Sequence, residues 1–585
     1  MEWLNELQED SVPYLLQERA RRYSRHMAYM FPEWNQRYTW HDVWRETLSL
    51  AQGLANRGVR HGDRVAFFMT GRMELIVSMY AAACLGAVLV PINAYSRKSE
   101  LAGCLREARA SVLIIGVEGH GQHYPTLLRE LVDEQAALAG ADWLPHSLFV
   151  IGGSAMDRMG FGAYTELLSR PDRERLNPVL ASVSSRDPLV LLFTSGTLGA
   201  PKAVLRTTTS FFVPARGDNQ PKRWMGGAAD ALSAPIMQAF KMLNLLPLYH
   251  MGGFGTLLSN LKPIKLPTVM LSRFHPIEAL SVIASERCKI MVGTPYMMQR
   301  MVAAPERSRY NLSSLLGVAF TSAAVTPAIL EQVTGELRLQ FFTVSYGSSE
   351  AGAVSTGTCI RKEHLRGVLI PMLFRLFERS NLLGGIMEYG QFMRESNSLA
   401  GKVESSVEIR VVDPVSGAVL PPGGQGEIHI RGNRVMRYTN ANAERPAFTE
   451  DGWYRSGDLG WMNENRELTI AGRLHRMISR GGEKISPVEI EAVLLRHGEV
   501  EEAFVIGVPD GMYGEEICAC VVPKRGSGLT AERLKAELSP LLSAFKLPRS
   551  FLFLPQLPLS PTGKISVAEM KELALQELGD RRRHA

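Results

Sequence analysis

Helical and strand-like patterns alternate through the first half of the chain, and this alternation constrains the fold most strongly. Helical periodicity covers residues 39–54 and 100–108, whereas residues 112–115 and 189–193 are short apolar runs typical of buried strands. Parallel strands need long crossover connections, usually helices, which then cover both faces of the sheet. The pattern therefore predicts an α/β fold with a large N-terminal domain of doubly wound sheets.

The pattern changes within residues 403–433. Two stretches, residues 407–412 and 427–431, alternate apolar and polar side chains on either side of a segment rich in turn-forming residues. Alternation with a period of two is typical of half-buried strands, and two such runs around a turn form a hairpin. We expect this hairpin to belong to a small barrel or a distorted sheet that completes the N-terminal domain.

A compact module of helices and strands follows Gly472. Ser486 and Pro487 provide an N-cap and a first-turn proline for a helix, and strand patterns follow it. Domain boundaries usually lie in short segments that few contacts cross. We therefore predict two domains, an N-terminal one over residues 1–472 and a small α+β one over residues 473–585.

Composition and charge exclude several classes of protein. Hydrophobic residues make up 45% of the chain and charged residues 21%, which excludes disorder and supplies enough apolar side chain for a large core. The 65 Lys and Arg residues exceed the 59 Asp and Glu residues by only six, spread along 585 positions. Because nucleic-acid binding requires clustered basic charge, we expect no nucleic-acid partner.

The cysteines and the N-terminus point to a reducing compartment. The six cysteines form no C-x-x-C pair, so buried thiols are favoured over disulfides or metal ligands. The first residues show neither the basic region nor the apolar region of a secretory signal. Both observations favour a cytoplasmic protein.

Two segments raise the question of membrane contact. Residues 75–92 carry no charge for 18 positions, but Gly86 divides them, so we expect a helix followed by a buried strand rather than a spanning helix. Residues 361–393 form a basic amphipathic stretch interrupted by Pro371. A lid or packing helix is the favoured interpretation of that stretch, and peripheral contact with a membrane is the alternative.

The sharpest local motif is a loop rich in hydroxyls and glycines. Residues 193–202 read Phe-Thr-Ser-Gly-Thr-Leu-Gly-Ala-Pro-Lys and follow a buried-strand pattern. Backbone N–H groups and hydroxyls in such a turn can converge on phosphate oxygens, and a lysine adds a point charge. The loop does not satisfy the Walker A pattern. The candidate phosphate ligands are Thr194, Ser195, Gly196, Thr197, Gly199 and Lys202.

Four further motifs follow this loop. They are Tyr-Gly-Ser-Ser-Glu at residues 346–350, Tyr-Arg-Ser-Gly-Asp at 454–458, Gly-Arg at 472–473 and Pro-Thr-Gly-Lys-Ile at 561–565. With the loop, this ordered set resembles the motifs of the adenylate-forming (ANL) superfamily over nearly the whole chain. That superfamily contains acyl-CoA synthetases, adenylation domains of peptide synthetases and beetle luciferases. The chain looks most like the acyl- and aryl-CoA synthetases.

The resemblance implies ATP-dependent activation of a carboxylic acid. The carboxylate would attack the α-phosphorus of ATP to form acyl-AMP and pyrophosphate, and the thiol of coenzyme A would then displace AMP. Negative charge concentrates on the phosphoryl groups in the first step, so cations should supply much of the catalysis. The implied catalytic residues are Lys564 at the α-phosphate, Glu350 as the Mg²⁺ contact, and His250 beside the acyl site.

The same resemblance implies roles around the nucleotide and at the joint between the domains. Ser349 would contact the α-phosphate, and the C-terminal domain would be mobile, rotating after adenylation. Adenine would lie against Ser322, Ala323, Ala324, Tyr346 and Gly347, the ribose would bind Asp458 and Arg473, the pantetheine arm would pass Gly481 and Gly482, and the hinge would be His475.

The chain also departs from the family pattern. Leu198 replaces a usual hydroxyl in the phosphate loop, Ala203 replaces a common glycine, and His475 stands where aspartate or lysine is usual. The segment near residues 361–400 has the length of an insertion. These departures leave the lysine, the acid and the ribose ligand in place.

Three functions are compatible with these observations. The leading one is an acyl-CoA synthetase, and the second is a stand-alone adenylating enzyme that loads an acid onto the phosphopantetheine of an acyl carrier protein. The third, suggested by Leu198 and His475, is a weakened adenylate-binding protein. The expected acid-pocket segments, residues 250–256, 292–296 and 318–322, are largely apolar and favour an aliphatic or aromatic acid over an amino acid.

Overall fold

The computed structural model describes residues 7–136, 143–194, 202–211, 237–261, 266–361, 385–393, 398–439, 447–480, 483–510, 514–542, 546–559 and 565–583. The helices are α1 (Val12–Arg22), α2 (Trp40–Asn56), α3 (Met73–Cys84), α4 (Lys98–Ala108), α5 (Tyr124–Ala136), α6 (Arg173–Ser182), α7 (Thr208–Phe211), α8 (Met251–Ser259), α9 (Pro276–Glu286), α10 (Pro295–Ala303), α11 (Pro327–Glu336), α12 (Tyr389–Met393), α13 (Pro487–Leu494), α14 (Ala531–Leu538) and α15 (Val567–Arg583). Short 3₁₀ turns occur at Pro32–Trp34, Tyr164–Leu167, Pro305–Arg309 and Leu474–Arg476.

The strands of the N-terminal part are β1 (Met27–Phe31), β2 (Gln36–Thr39), β3 (Arg64–Phe68), β4 (Val88–Ile92), β5 (Val112–Ile115), β6 (Glu118–Gly119), β7 (Gln122–His123), β8 (Ser147–Val150), β9 (Gly162–Ala163), β10 (Pro188–Thr194), β11 (Lys202–Thr207), β12 (Met242–Asn244), β13 (Thr268–Met270), β14 (Ile290–Gly293), β15 (Gly317–Phe320), β16 (Phe341–Ser348), β17 (Gly352–Ile360), β18 (Gly385–Met387), β19 (Ser398–Val403), β20 (Val407–Val412), β21 (Gly426–Gly432), β22 (Tyr454–Met462) and β23 (Glu467–Arg473). The remaining strands are β24 (Ile478–Arg480), β25 (Glu483–Ile485), β26 (Val500–Asp510), β27 (Gly514–Pro523) and β28 (Ser550–Phe553).

Seven strands form one sheet in the order β11-β10-β4-β3-β5-β8-β9. From β10 to β9 the neighbours are parallel, and β11 pairs antiparallel with β10 at the edge. Every residue of β4 is buried, and large apolar clusters lie on the two faces of the sheet. This arrangement confirms the predicted α/β class.

Residues 75–92 fold as the sequence predicts, as the end of α3 followed by β4. Between these elements, Gly86 adopts a φ of 69°. A Cβ at Gly86 would lie 2.3 Å from the ring of His61, so glycine meets both the conformational and the steric demand. Within the described parts of the chain, no helix is long and apolar enough to cross a membrane.

The second sheet has 14 strands in the order β2-β1-β13-β12-β14-β15-β16-β17-β19-β23-β22-β21-β20, with β18 paired to β17. Its strands are parallel from β1 to β16 and mainly antiparallel beyond β16. The predicted hairpin is present, because β20 and β21 pair from Val407 opposite Gly432 to Val412 opposite Glu427. The strands expected in a small barrel or a distorted sheet continue this large sheet and enclose an apolar cluster of their own.

A separate five-stranded sheet follows, with the order β25-β24-β27-β26 and with β28 beside β27. Cys518 and Cys520 lie two positions apart on β27, so their side chains share one face of the sheet and enter the same apolar cluster. All six cysteines are buried, and none of them forms a disulfide. The smaller sheet therefore has its own core on each face.

The start of α13 differs from the prediction in one respect. Ser486 occupies the N-cap position and Pro487 the first turn, but the Ser486 hydroxyl makes no capping hydrogen bond. It donates instead to the carbonyl oxygen of Ala471, at 3.0 Å. Since Ala471 belongs to β23, this bond ties α13 to the larger sheet.

Four residues connect β23 to β24, and three of them form the turn Leu474–Arg476. The backbone of His475, the predicted hinge, lies in this turn. The domain boundary at residues 472–473 and the hinge itself stay predictions. Residues 362–384 and 394–397, which hold most of the expected insertion, lie outside the described residues, so the lid and membrane interpretations also stay predictions.

Candidate active site

Neighbouring strand ends bring the predicted adenine residues together. β15 and β16 run parallel with Phe320 opposite Val344, so residues 321–324 leave β15 at the level where β16 continues into residues 345–347. Ser322 has a φ of 69°, in the left-handed region that residues other than glycine seldom occupy. Ligands of open α/β sheets bind at the carboxyl ends of strands, and strained backbone concentrates at such sites.

The turn after β16 closes tightly. A Cβ at Gly347 would lie 2.0 Å from the carbonyl oxygen of Gly352, so no side chain fits there. Gly352 has a φ of 69°, which also favours glycine. The turn between these two glycines carries Ser349 and Glu350, so its shape determines where both side chains leave the backbone.

Three predicted residues form one hydrogen-bonded cluster. The Tyr346 hydroxyl donates to Asp458 Oδ2 at 2.6 Å, and Arg473 Nε lies 2.7 Å from Asp458 Oδ1. Asp458 is 5% exposed, while the Arg473 side chain is half exposed. Burial and then Asp458 raise the pKa of Tyr346, so its hydroxyl remains a donor at neutral pH. Asp458 also raises the pKa of Arg473, whose charge it balances.

Glu350 lies close to two tyrosines. Its carboxylate is 6% exposed and accepts a hydrogen bond from the Tyr438 hydroxyl. Burial and then Glu350 raise the pKa values of Tyr438 and Tyr454. Lys202 Nζ lies 5.8 Å from the centre of the Tyr438 ring. Tyr438 therefore links the candidate metal ligand to the lysine that ends the phosphate loop.

Both ends of the phosphate loop are fixed by strand pairing. Thr194, the last residue of β10, lies opposite Lys202, the first residue of β11. Residues Ser195, Gly196, Thr197 and Gly199 lie outside the described residues, and so does Leu198. Their contacts with phosphate stay predictions.

Lys564 also lies outside the described residues, whereas Leu559 and Ile565 on either side of it are described. Leu559 and Ile565 form an isolated antiparallel bridge. Leu559 lines a cavity of about 720 Å³ together with Tyr249 and Tyr296 of the larger part. Gly481 and Gly482 are likewise outside the described residues, so the roles of Lys564 and of both glycines stay predictions.

His250 lies at the start of α8, near the adenine residues. It occupies the N-cap position without a capping side-chain bond, and its ring packs edge-on against Tyr249 at 4.6 Å. Two positions further on, a Cβ at Gly252 would lie 3.1 Å from Ser322 Oγ. The structure thus brings the predicted acyl-site histidine and the predicted adenine wall to the same region.

The cavity lies at the carboxyl ends of strands from both large sheets. Its lining includes residues that follow β3, β4, β12 and β13. Apolar side chains such as Leu246 and Met297 share the lining with Arg97, Arg273 and Glu100. An amphipathic ligand with an anionic part suits such a lining.

Two residues around the site escaped the sequence analysis. Tyr438 reaches Glu350 because residue 438 pairs with Val204 of β11, although the surrounding sequence has no strand pattern. Arg206 lies on β11 and donates to the carbonyls of Ser349 and Glu350. A charged residue inside an apolar strand run was the only available signal for Arg206.

The fold and this cluster of motifs define an adenylate-forming enzyme. The family model described as AMP-binding enzyme matches residues 16–438, and the model described as AMP-binding enzyme C-terminal domain matches residues 489–564. The chain therefore belongs to the AMP-binding enzyme family, which confirms the resemblance to the ANL superfamily. It is an enzyme with ligase activity, in a family whose members include acyl-CoA synthetases.

Similar proteins cover nearly the whole chain. Medium-chain acyl-CoA ligase ACSF2, mitochondrial, from Danio rerio is 27% identical over 98% of this chain and 90% of its own length. Long-chain-fatty-acid–CoA ligase from Bacillus subtilis (strain 168) is 26% identical over 94% and 92%. The crystal structure of the anthranilate CoA ligase AuaEII with anthranoyl-AMP has a TM-score of 0.73 at 20% identity, covering 98% of each chain. At that identity the last likeness shows the shared fold.

Proposed function

We propose that the chain is an ATP-dependent acyl-CoA synthetase. It would activate a carboxylic acid as acyl-AMP with release of pyrophosphate, and then form a coenzyme A thioester. The observation that carries the proposal is the buried Asp458 carboxylate, held by Tyr346 and Arg473 beside the turn with Ser349 and Glu350. Acceptors for a ribose thus lie next to groups suited to phosphates and a cation.

The ribose and adenine would bind at this cluster. An ionised carboxylate accepts about four hydrogen bonds, so Asp458 can receive ribose hydroxyls besides its bonds from Tyr346 and Arg473. The adenine would lie between the Tyr346 ring and residues 322–324, which follow the end of β15, the strand paired with β16. Both partners of Asp458 orient it before a nucleotide arrives, which limits the entropy lost on binding.

Glu350 suits a magnesium ion that arrives with the nucleotide. Magnesium prefers hard oxygen ligands and often binds through one or two carboxylates together with phosphate oxygens. No cluster of three metal-ligating side chains occurs among the residues that the structure describes. A single buried carboxylate fits that mode of binding, and the bound cation would neutralise phosphate charge.

Lys564 would supply the remaining positive charge. Phosphoryl transfer depends mainly on positioning and on stabilising the charge of the phosphoryl oxygens. Leu559 lines the cavity at the end of the site, five positions before Lys564. We therefore assign Lys564 to the α-phosphate during adenylation, with the His250 side chain beside the acid.

The cavity supports the second half of the proposal. Arg97 and Arg273 provide positive charge for the phosphates of coenzyme A, while Leu246 and Met297 provide apolar contact. An aliphatic or aromatic acid suits the apolar residues nearby. The related ligases whose names specify medium-chain, long-chain and anthranilate substrates are consistent with this choice of acid.

Pyrophosphate exchange tests the first half of the proposal. Aliphatic, aromatic and amino acids would each be supplied with ATP and labelled pyrophosphate, and exchange is expected with aliphatic or aromatic acids. Lys564→Ala should lower the exchange rate at least about 100-fold, because it removes a charge that acts on the transition state. Lys571→Ala, a lysine of α15, serves as the control and should leave the rate unchanged.

The acceptor is tested separately. With a responsive acid, coenzyme A should be consumed in step with AMP release. Exchange without coenzyme A consumption would contradict the thioester step and favour a carrier-protein acceptor. A complete lack of exchange with every acid would contradict the proposal as a whole.

A further inference from the structure

Arg206 is a buried cation in the middle of the nucleotide site. It is fully buried on β11, four positions after Lys202. Burial is the main cause that lowers its pKa, to about 9, so the guanidinium is still charged at neutral pH. Buried guanidinium groups are rare without a partner carboxylate, so the contacts of this side chain require an explanation.

Four backbone carbonyls surround the guanidinium. Nη1 donates to the carbonyls of Ser349 at 2.8 Å and Glu350 at 3.2 Å. Nη2 donates to the carbonyls of Ser210 and Arg434, both at 3.0 Å. These acceptors belong to three separate segments of the chain. A planar fork with five donors can bond to all of them, whereas a lysine ammonium has three donors on one atom.

The contacts with Ser349 and Glu350 determine how their turn is oriented. A trans peptide holds its N–H opposite its carbonyl, so a Ser349 carbonyl directed at Arg206 turns the Glu350 N–H away from it. The Glu350 carbonyl accepts a second hydrogen bond, from the Met436 N–H at 2.8 Å. The backbone that carries both side chains is thereby held by donors from two other segments.

The surroundings leave space for this side chain. A Cβ at Gly352 would lie 2.9 Å from Arg206 Nη2, so the glycine after the turn allows the close approach. The ring of Phe211 lies 4.9 Å from the guanidinium carbon. Residues from three segments therefore define a pocket for the guanidinium.

We propose that Arg206 is a positioning residue that couples the strand leaving the phosphate loop to the turn bearing Ser349 and Glu350. It contacts backbone alone in this turn and acts through the two side chains that the turn presents. This inference rests on the proposed adenylating function. It adds a residue outside the recognised motifs, because one side chain sets the separation between the two phosphate-binding segments.

The decisive variant is Arg206→Lys, which keeps the positive charge but loses the planar guanidinium with its five N–H donors. The kcat of pyrophosphate exchange should fall about 100-fold, since a displacement of about 1 Å can cost that factor. The KM for ATP should change less than threefold, because Asp458 and Tyr346 bind the ribose independently. The Mg²⁺ concentration that gives half of the maximal rate should rise.

Arg19→Met provides a matched control for the loss of a buried arginine. Arg19 lies in α1, is 7% exposed and donates to the carbonyl of Leu261. Its replacement should lower the denaturation midpoint and leave kcat and the Mg²⁺ dependence unchanged. Arg206→Lys must be compared at a temperature where its circular dichroism matches that of the wild type.

Three outcomes separate the possibilities. A large loss of kcat with a nearly unchanged KM for ATP supports the positioning role. A kcat within twofold of the wild type, with only a lower denaturation midpoint, overturns it and leaves Arg206 a purely structural residue. If the wild-type chain itself shows no exchange with any acid, the proposed function fails, and the inference about Arg206 fails with it.

Discussion

At the scale of single residues, Asp458 illustrates how a buried charge is prepared for a ligand. A carboxylate that is 5% exposed needs hydrogen-bonding partners to remain ionised, and Tyr346 and Arg473 supply them. The Asp458 N–H donates a further hydrogen bond to Ser456 Oγ, at 3.0 Å. Side chain and backbone of Asp458 are therefore both constrained.

Asp458→Asn tests the ribose assignment. The neutral amide loses the charge that pairs with Arg473, and its NH₂ group would face either Arg473 Nε, where a donor meets a donor, or the Tyr346 hydroxyl, which would have to accept instead of donate. A lost charged hydrogen bond costs about 1.5–3 kcal/mol, so the KM for ATP in pyrophosphate exchange should rise roughly 10- to 100-fold. Asp451→Asn, which breaks a surface ion pair with Arg410, is the control and should behave as the wild type. An unchanged KM in Asp458→Asn contradicts the assignment.

The motifs in the sequence include the clustered residues Tyr346, Asp458 and Arg473, whose nucleotide roles stay predictions, but Tyr438 and Arg206 were missed for an identifiable reason. Asp458, Arg473 and Tyr346 lie in short motifs whose neighbours share the same role. Tyr438 acquires its contact with Glu350 through pairing with β11, a strand more than 200 positions away in the chain. Such long-range pairing leaves no local pattern.

At the scale of elements, the Glu286 carboxylate joins helix α9 to two segments of the larger sheet. Glu286, the last residue of α9, forms ion pairs with Arg37 of β2 and, at 2.7 Å, with Lys241 next to β12. Burial alone would raise the pKa of Glu286, but hydrogen bonds from Arg37 and Lys241 outweigh it and hold the pKa below the ordinary value. The contact thus stabilises the fold when Glu286 is ionised.

Glu286→Gln tests this contact through its pH dependence. A carboxylate whose pKa is lowered on folding contributes stability above its unfolded pKa, near 4.5, and loses that contribution as the pH falls through its folded pKa. At pH 7 the variant should unfold at a lower urea concentration, and its free energy of unfolding should be lower by about 1–2 kcal/mol. The loss is no larger because Arg37 is half exposed. The deficit should shrink below pH 4. An equal loss of unfolding free energy at pH 7 and below pH 4 contradicts this explanation.

Elements were predicted best where one local pattern sufficed. The helix expected at residues 39–54 is α2, with Thr39 as the capping residue, accepting from the Asp42 N–H. The helix–strand unit at residues 75–92 was also predicted. The place of β20 and β21 at the end of the large sheet was not, because alternation identifies a strand without naming its partner.

At the scale of the whole molecule, an ion pair joins the two parts of the chain. Arg300 of α10 lies 3.6 Å from Glu502 of β26, in the smaller sheet. Burial raises the pKa of Glu502, and Arg300 partly offsets that effect. The pair favours the arrangement in which Leu559, five positions before Lys564, lines the cavity.

Arg300→Gln should weaken this arrangement selectively. If it is the one that performs adenylation, pyrophosphate exchange should slow two- to fivefold, as expected for the loss of about 0.5–1 kcal/mol. The reaction of supplied acyl-AMP with coenzyme A should keep its rate. Rapid-quench measurements of both half-reactions check this expectation.

Lys546→Gln is the control for Arg300→Gln. Lys546 forms an ion pair with Glu489, and both residues belong to the smaller part of the chain. This change should affect both half-reactions equally or leave them unchanged. Equal slowing of the two half-reactions in Arg300→Gln would contradict the role of the interdomain pair.

The short joint between the two sheets has a mechanical consequence. Arg473, which pairs with Asp458, the proposed ribose ligand, is the last residue of β23, and only four residues separate it from β24. If the smaller sheet rotates, the movement would be transmitted almost directly to the end of β23. A bound ribose would then oppose this rotation, so the release of AMP and the return of the smaller sheet would occur together.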